Sequence, residues 1–379
     1  MTIDRPVPPG LQRYWNSPVA QFAQMECNDF EPWEKERHSI FSELLFGLIY
    51  DKWNGNKYGP LGDYGNWRSG QLIGKCDGEG VSIYEGGTYL GHNIAALAVD
   101  REGRVIDFDF NHNAVFDSTV EHAESRLVRR LFALNQIYDP WYALEREAPA
   151  LRAEILHAER PRQRRSVFAT AASDRSVPLR TGSYPMIQND AVPQAPQEYS
   201  TLLKDVTIYT SLESCAQCSG IMCLASVKDV VYLQWDQGQF LIGNMMRKAT
   251  AGQGAGFVSP RPIRGDEFGF QYFNDLNRLS EEFSRNVKYE PFYEGVDRIT
   301  GQDIRITSGS VTSFLCTDEA RNVFSRAHAD LMNRSHAEFP DAKPADVPNA
   351  FTNEQVLIQA RDYLSWVKML NNRGAAHRV

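Results

Sequence analysis

The first regular pattern of apolar residues in the chain is helical. Apolar residues recur at three- and four-residue intervals within residues 34–53, as in an amphipathic helix that buries one face. The Gly/Asn-rich stretch over 54–66 predicts where this helix ends. Four of the 7 tryptophans also lie before residue 90. We therefore expect residues 1–90 to form an aromatic-rich, helical N-terminal extension. The apolar face of its helix comprises Ile40, Phe41, Leu44, Leu45, Leu48 and Ile49.

The pattern changes to that of β-strands from Ile94 onward. A compact apolar run over 94–99, a turn that contains Gly103 and an alternating run over 104–110 together predict a β-hairpin. A helix is then expected to begin with Ser118 as its N-cap and Glu121 three residues later. Further along, the order strand, helix, strand predicts a parallel βαβ unit. Its three elements are expected at 205–210, 214–227 and 230–233.

The remaining segments interrupt or follow these strands. Residues 141–200 are rich in Arg, Pro, Ser and Gln and lack apolar periodicity, which predicts an insertion with irregular structure. Helical periodicity returns over 318–333 and 353–370, the second behind a capping box of Thr352 and Gln355. The expected parts of the chain are thus an N-terminal extension (1–90), a core that carries the insertion (91–240) and a C-terminal loop and helical extension (241–379).

Composition narrows the partners and the compartment. The net charge of -8 and the pI of about 5.6 give no overall attraction to a polyanion, so nucleic acid is a possible but not a favoured partner. The longest apolar runs are far shorter than the roughly 18 residues that a membrane span needs, and no membrane partner is expected. The polar start MTIDRPVPPG does not match a secretion signal, which favours a cytoplasmic location. Three of the 6 cysteines crowd into residues 215–223, a spacing that suits metal binding in a reducing compartment.

Two short motifs carry the candidate chemistry. They are His122-Ala123-Glu124 and, far downstream, Cys215-Ala216-Gln217-Cys218. One imidazole and two thiolates can hold a zinc ion with a position left open for water. Glu124 is then free to accept a proton from that water and to pass it to a leaving amine. H-x-E alone occurs on many surface helices, and C-x-x-C alone fits a redox pair or half of a structural zinc site. The combination predicts one Zn²⁺ per chain, with His122, Cys215 and Cys218 as ligands and Glu124 as the catalytic residue.

The order H-x-E and then C-x-x-C is also the signature of zinc-dependent nucleobase deaminases. Residues 94–236 resemble the cytidine deaminase-like superfamily, closest to the branch of tRNA adenosine deaminases, guanine deaminases and fungal-type cytosine deaminases. The stretches that carry the resemblance are IAALAVDREGRVI, NHNAVFDSTVEHAES and TIYTSLESCAQCSGIMCLASVKDVVYL. The resemblance implies an α/β fold with three α/β/α layers around a mixed five-stranded sheet. It also implies a homo-oligomer, because members of the family usually pair through the helices beside the site.

The resemblance further implies three substrate contacts. Asn113 would contact the substrate base or sugar, although Asn111 offers a competing register. The backbone amides of Ala123 and Cys215 would contact the substrate carbonyl or the reaction centre. Two positions depart from the family: Ser214 replaces the proline before the first cysteine, where it can serve as an N-cap, and Glu121 is an extra residue before His122.

Three functions remain open at this point. The preferred one is hydrolytic deamination of a small amino-heterocycle, either a nucleobase, a nucleoside, a nucleotide or a related compound, with release of ammonia. The alternative is a base-editing deaminase that acts on RNA or single-stranded DNA, with arginines of the insertion gripping phosphates. The third is a non-catalytic, zinc-stabilised interaction protein, which has no need of Glu124. The arginines in question are Arg160, Arg162, Arg164, Arg165, Arg175 and Arg180.

Overall fold

The computed structural model describes residues 27–53, 91–113, 118–132, 202–239, 241–251, 257–291, 293–296, 301–307 and 309–369. The predicted insertion and its arginines, together with Trp15 and Trp67, lie outside these ranges.

The elements follow one another in the chain as alternating helices and strands, with helices predominating after the fifth strand. In order they are α1 (Pro32–Asp51), β1 (Ala95–Val99), β2 (Val105–Phe110), α2 (123–132), β3 (Thr207–Thr210), α3 (Ala216–Leu224), β4 (Asp229–Tyr232), α4 (Ile242–Thr250), β5 (Arg261–Arg264), a 3-10 helix (Gly265–Phe268), α5 (Gln271–Asn286), β6 (Tyr293–Val296), β7 (Asp303–Ile306), α6 (Val311–Phe314), α7 (Asp318–Asn333) and α8 (Asn353–Met369).

Five strands form one mixed sheet in the order β2-β1-β3-β4-β5. β1 is antiparallel to both β2 and β3, whereas β3, β4 and β5 are parallel to one another. The predicted hairpin and the predicted parallel pair are both confirmed, and Gly103 takes a φ of 86° in the hairpin turn, which favours glycine. The predicted fold class, α/β with a mixed five-stranded sheet and flanking helices, is therefore confirmed.

Successive side chains of the central strands point to opposite faces of the sheet, so each face carries its own apolar layer. On one face, Ala96 and Ala98 of β1 lie in a buried cluster with Leu127 of α2 and Met222 of α3. The small alanines leave room for these two helices to approach the sheet closely. The motif-bearing helices α2 and α3 therefore share one face of the sheet.

The opposite face is covered by helices from both ends of the described chain. Leu97 of β1 lies in a second buried cluster with apolar residues of α1, α7 and α8. The predicted helices at 34–53, 318–333 and 353–370 are confirmed within a few residues. The capping box of α8 is present, because the Thr352 N–H donates to Gln355 Oε1 (2.9 Å) and the Gln355 N–H donates to Thr352 Oγ1 (3.3 Å).

Two features differ from the sequence-based expectation. The segment after residue 240, where a loop was expected, contains α4 and β5, and β5 completes the sheet beyond the predicted end of the core. The helix expected to be capped by Ser118 and Glu121 begins at Ala123 instead, so that prediction is wrong. Ser118 Oγ accepts a hydrogen bond from Val120 N (3.3 Å) in the preceding turn. The division into 1–90, 91–240 and 241–379 stays a prediction.

Within the described ranges, no helix is both long enough and apolar enough to cross a membrane.

Candidate metal centre

The cysteines of the C-x-x-C motif are positioned by the start of α3. Cys215 is the N-cap of this helix, with an extended backbone (φ -67°, ψ 171°), and Cys218 lies in the first turn, fully buried. The predicted location of both thiols at a helix N-terminus is confirmed. The free N–H groups and the positive dipole end there favour thiolates over thiols. The N-cap of α3 is Cys215, so the prediction that Ser214 caps this helix is wrong.

α2 presents the H-x-E motif, and its first turn is fixed by a residue twelve positions upstream. The buried Asn111 accepts a hydrogen bond from the Ala123 N–H at 2.8 Å, which satisfies a donor that the helix start leaves free. Asp109 of β2, fully buried, accepts from Arg126 Nε at 3.3 Å and from Arg130 Nη1 at 2.7 Å. These bonds hold α2 on strand β2, and with it the motif.

Glu121, directly before His122, belongs to the same charge network. The carboxylate of Glu121 accepts from Arg126 Nη1 at 2.8 Å and from Arg129 Nη2 at 2.8 and 2.9 Å. Although partial burial opposes the shift, these hydrogen bonds lower the pKa of Glu121. Glu121 lies just before α2 and pairs with two arginines of that helix, which gives it a structural role.

The sheet brings the two motifs together across 93 positions of sequence. His122 Nδ1 lies 3.4 Å from Cys215 Sγ and 3.6 Å from Cys218 Sγ, and the three donor atoms all lie within 4.8 Å of one another. Tetrahedral zinc, with Zn–S near 2.3 Å and Zn–N near 2.0–2.1 Å, separates a sulfur from a nitrogen ligand by about 3.5 Å. The observed distances match this separation, so the cluster can hold a metal ion, and its donor set suits zinc.

The two thiols of the cluster differ in acidity. The hydrogen bond from Cys218, together with the neighbouring His122, lowers the pKa of Cys215 to about 4, whereas the pKa of Cys218 is raised. The hydrogen bond between His122 and Cys215 raises the pKa of His122. Cys215 is therefore the more acidic of the two thiols.

Glu124 lies beside the cluster, 3% exposed. Its Oε1 accepts from Ser214 Oγ at 3.0 Å and lies 3.3 Å from Thr210 Oγ1, while its Oε2 accepts from Cys218 Sγ at 3.4 Å. Burial raises the pKa of Glu124, although hydrogen bonds to the carboxylate oppose the shift. The carboxyl group is thus held in one orientation at the edge of the cluster and is suited to carry a proton.

A loop after β4 packs over the start of α3 and completes the surroundings. The buried Glu213 accepts from Leu241 N at 2.6 Å and from Asp236 N at 3.3 Å, and burial raises the pKa of Glu213 to about 7. Gln239 Oε1 accepts from the Ala216 N–H at 3.4 Å, in the first turn of α3. This loop therefore lies close to Cys215.

The predicted substrate contacts are placed as follows. Asn113 lies in the loop after β2, where its Oδ1 accepts from His92 N at 3.4 Å. The Ala123 amide donates to Asn111, so a substrate contact by this amide would require that bond to break. Cys215 is a cluster member, as described. The roles of Asn113 and of both backbone amides toward a substrate stay predictions.

Three residues of the site make contacts that were not predicted from the sequence. Ser214 and Thr210 contact the Glu124 carboxylate, and Asn111 caps the helix of His122. For Ser214 the sequence did give a signal, a hydroxyl residue directly before the first cysteine. We interpreted it as a cap for α3, whereas the hydroxyl contacts Glu124. Asn111 and Thr210 act across long stretches of sequence, and no local pattern indicates such contacts.

Comparisons with known proteins add little to this geometry. No protein-family model matches the chain, and no curated protein matches it. A solved structure from biochemical and structural studies of A-to-I editing by tRNA:A34 deaminases at the wobble position of transfer RNA matches 48% of this chain and 85% of its own. The sequence identity is 14% and the TM-score is 0.23. A TM-score this low carries no argument about function, which is therefore inferred from the residues of the site.

Proposed function

We propose that the protein is a zinc-dependent hydrolytic deaminase that converts the amino group of a small heterocycle to a carbonyl group and releases ammonia. One observation carries this proposal: a His/Cys/Cys cluster with a buried carboxyl group beside it. Structural zinc sites use four protein ligands, whereas catalytic ones use three and leave a position open. Among the described residues the cluster offers three donors, and Glu124 supplies the acid–base group that a purely structural site does not need.

The chain's own residues define the proton path. Zinc held by His122, Cys215 and Cys218 would supply Lewis acidity, which lowers the pKa of water toward neutrality. Glu124 takes a proton from the attacking water and delivers it to the ring nitrogen next to the amine-bearing carbon. It then passes the second proton of that water to the departing amine. A C–O bond forms, the C–N bond breaks, and ammonia leaves.

We infer the substrate class from the net charge of the chain. The net charge of -8 favours a free nucleobase, nucleoside, nucleotide or related amino-heterocycle over a long polyanion. We include in the proposal a cytoplasmic location and assembly into a homo-oligomer. The alternative function is the editing of RNA or single-stranded DNA. An RNA oligomer among the substrates of the experiment below tests it.

The experiment measures zinc content and ammonia release together. Ammonia release is followed with cytosine, adenine and guanine compounds as free bases, nucleosides and nucleotides, and with an RNA oligomer. Glu124→Gln should keep zinc and lose ammonia release, whereas Cys215→Ala should lose both. Full turnover by Glu124→Gln would contradict the mechanism. Tight RNA binding that weakens steeply with salt, with turnover on RNA alone, would contradict the small-molecule substrate.

A further inference from the structure

One concavity of the surface, away from the metal centre, has four cationic residues among the eight that line it. Its volume is about 700 Å³, within the range of roughly 300–1,000 Å³ that is usual for small-molecule sites. Four lining residues carry positive charge and one, Asp229, carries negative charge. We call this concavity the cationic pocket, and its charged residues are Lys204, Lys228, Asp229, Arg247 and Arg261.

The cationic pocket lies at the opposite end of the sheet from the metal centre. Lys204 precedes β3, Lys228 immediately precedes β4, and Arg261 is the first residue of β5. These three strands are parallel, so their amino ends share one edge. Cys215 follows the carboxyl end of β3, and a four-residue strand spans about 13 Å. The pocket is therefore separate from the metal centre.

The charges of the pocket do not cancel. Arg261 donates from Nε and Nη2 to the two carboxylate oxygens of Asp229, at 2.8 and 3.2 Å, which balances this pair. Arg247 donates from Nη1 to the Ser259 carbonyl at 2.8 Å, a neutral acceptor. Lys204 and Lys228 are exposed, and among the described residues neither has a carboxylate within ion-pair distance. Positive charge is thus concentrated here on a chain whose net charge is -8.

Three successive backbone N–H groups beside the pocket already donate within the protein. The N–H groups of Ser226 and Val227 donate to Cys223 and Met222, and that of Lys228 donates to Val206. The ligand must therefore be bound by the cationic side chains themselves. A single cation would suffice to complement the negative end of α3, whereas four converge here from separate segments.

We propose that the cationic pocket binds a phosphate group, carried either by a free phosphorylated metabolite or by an RNA backbone. The terminal oxygens of a phosphate can each accept from a different ammonium or guanidinium group, which matches a pocket with several cations. The proposal does not depend on deamination, because none of the lining residues belongs to the metal centre.

Lysine acetylation on the full-length, zinc-loaded protein tests this directly. Pyrophosphate in one arm and a single-stranded RNA oligomer in the other should protect Lys204 and Lys228 from acetylation, while the exposed Lys288 should stay reactive. Protection by pyrophosphate indicates a free ligand, and protection by RNA alone indicates a backbone phosphate. Absence of protection in both arms at concentrations up to about 10 mM, or equal protection of Lys288, would overturn the proposal.

A pair of matched double variants gives the second measurement. Lys204→Gln with Lys228→Gln should weaken binding of the protecting ligand by about tenfold or more, because two charge-assisted contacts are lost. Arg285→Gln with Lys288→Gln removes the same charge from an exposed site at the end of α5 and should leave the affinity unchanged. Equal affinities of the two double variants would overturn the proposal. Zinc content and ammonia release should be the same in both.

Discussion

The most specific expectation for the site concerns the two hydroxyl groups at Glu124. A hydroxyl has one proton to donate. Thr210 Oγ1 lies 2.9 Å from the Leu212 carbonyl and 3.3 Å from Glu124 Oε1, so its proton is directed to Leu212. Ser214 Oγ, at 3.0 Å, is then the principal hydroxyl donor to the Glu124 carboxylate. Removal of Ser214 Oγ should therefore affect the carboxylate far more than removal of Thr210 Oγ1.

The magnitude follows from the charge of the acceptor. A hydrogen bond to a charged group contributes about 1.5–3 kcal/mol, whereas a neutral one contributes about 0.5–1.5 kcal/mol. If the bond orients Glu124 in the transition state, Ser214→Ala should lower kcat about 10- to 150-fold, at about 1.4 kcal/mol per tenfold. Thr210→Val keeps the side-chain shape and should lower kcat less than about threefold.

The assay is steady-state ammonia release with the best substrate of the panel, accompanied by zinc analysis of each variant. Both variants should retain zinc, because neither residue belongs to the His/Cys/Cys cluster. A larger loss of kcat in Thr210→Val than in Ser214→Ala would refute the assignment of the principal donor. Wild-type kcat in Ser214→Ala would show that the bond does not orient Glu124 during the reaction.

Two further predictions concern the metal and the far face of the sheet, which is the face covered by α1, α7 and α8. Cys218→Ala should abolish stoichiometric zinc binding in elemental analysis. Cys223 is a buried cysteine of the same helix outside the cluster, so Cys223→Ala should keep the zinc. Zinc retained by Cys218→Ala would argue against the ligand set. Burial raises the pKa of Glu43 from 4.5 to about 7, although Arg334 opposes the shift. The folded state then holds this proton more tightly than the unfolded state, so the associated stability is present below pH 4.5 and is lost as the pH rises toward 7. Relative to Glu43→Gln, the wild-type free energy of unfolding in urea should fall by about 3 kcal/mol across this window, and parallel pH profiles would contradict this.

Elements with a strong local signal could be predicted from the sequence. The hairpin joins the apolar run of β1 to the alternating pattern of β2 through the turn at Gly103, and α8 carries its own capping box. The ligands of the cluster could be predicted because their spacing within each motif is itself the signal. In each case the residues that decide the structure are close together in the sequence.

Elements that depend on distant partners could not be predicted in this way. β5 consists of Arg-Pro-Ile-Arg, which resembles a loop, and it is a strand because β4 offers an edge to pair with. α4 begins after Leu241, whose left-handed φ of 59° gives no capping signal. The start of α2 was placed four residues too early because Ser118 matches a local cap, while the acceptor that binds its first N–H is the distant Asn111.

The far face of the sheet also constrains the order of events during synthesis. All five strands emerge before α7 and α8, yet these helices cover Leu97 and its neighbours on that face. Arg37 of α1 donates to the Phe351 carbonyl at 2.8 Å across 314 positions, so the two ends of the described chain meet late. The layer with the metal ligands can thus form while the opposite layer still exposes apolar surface, which makes the nascent chain prone to aggregate until residue 369 has emerged.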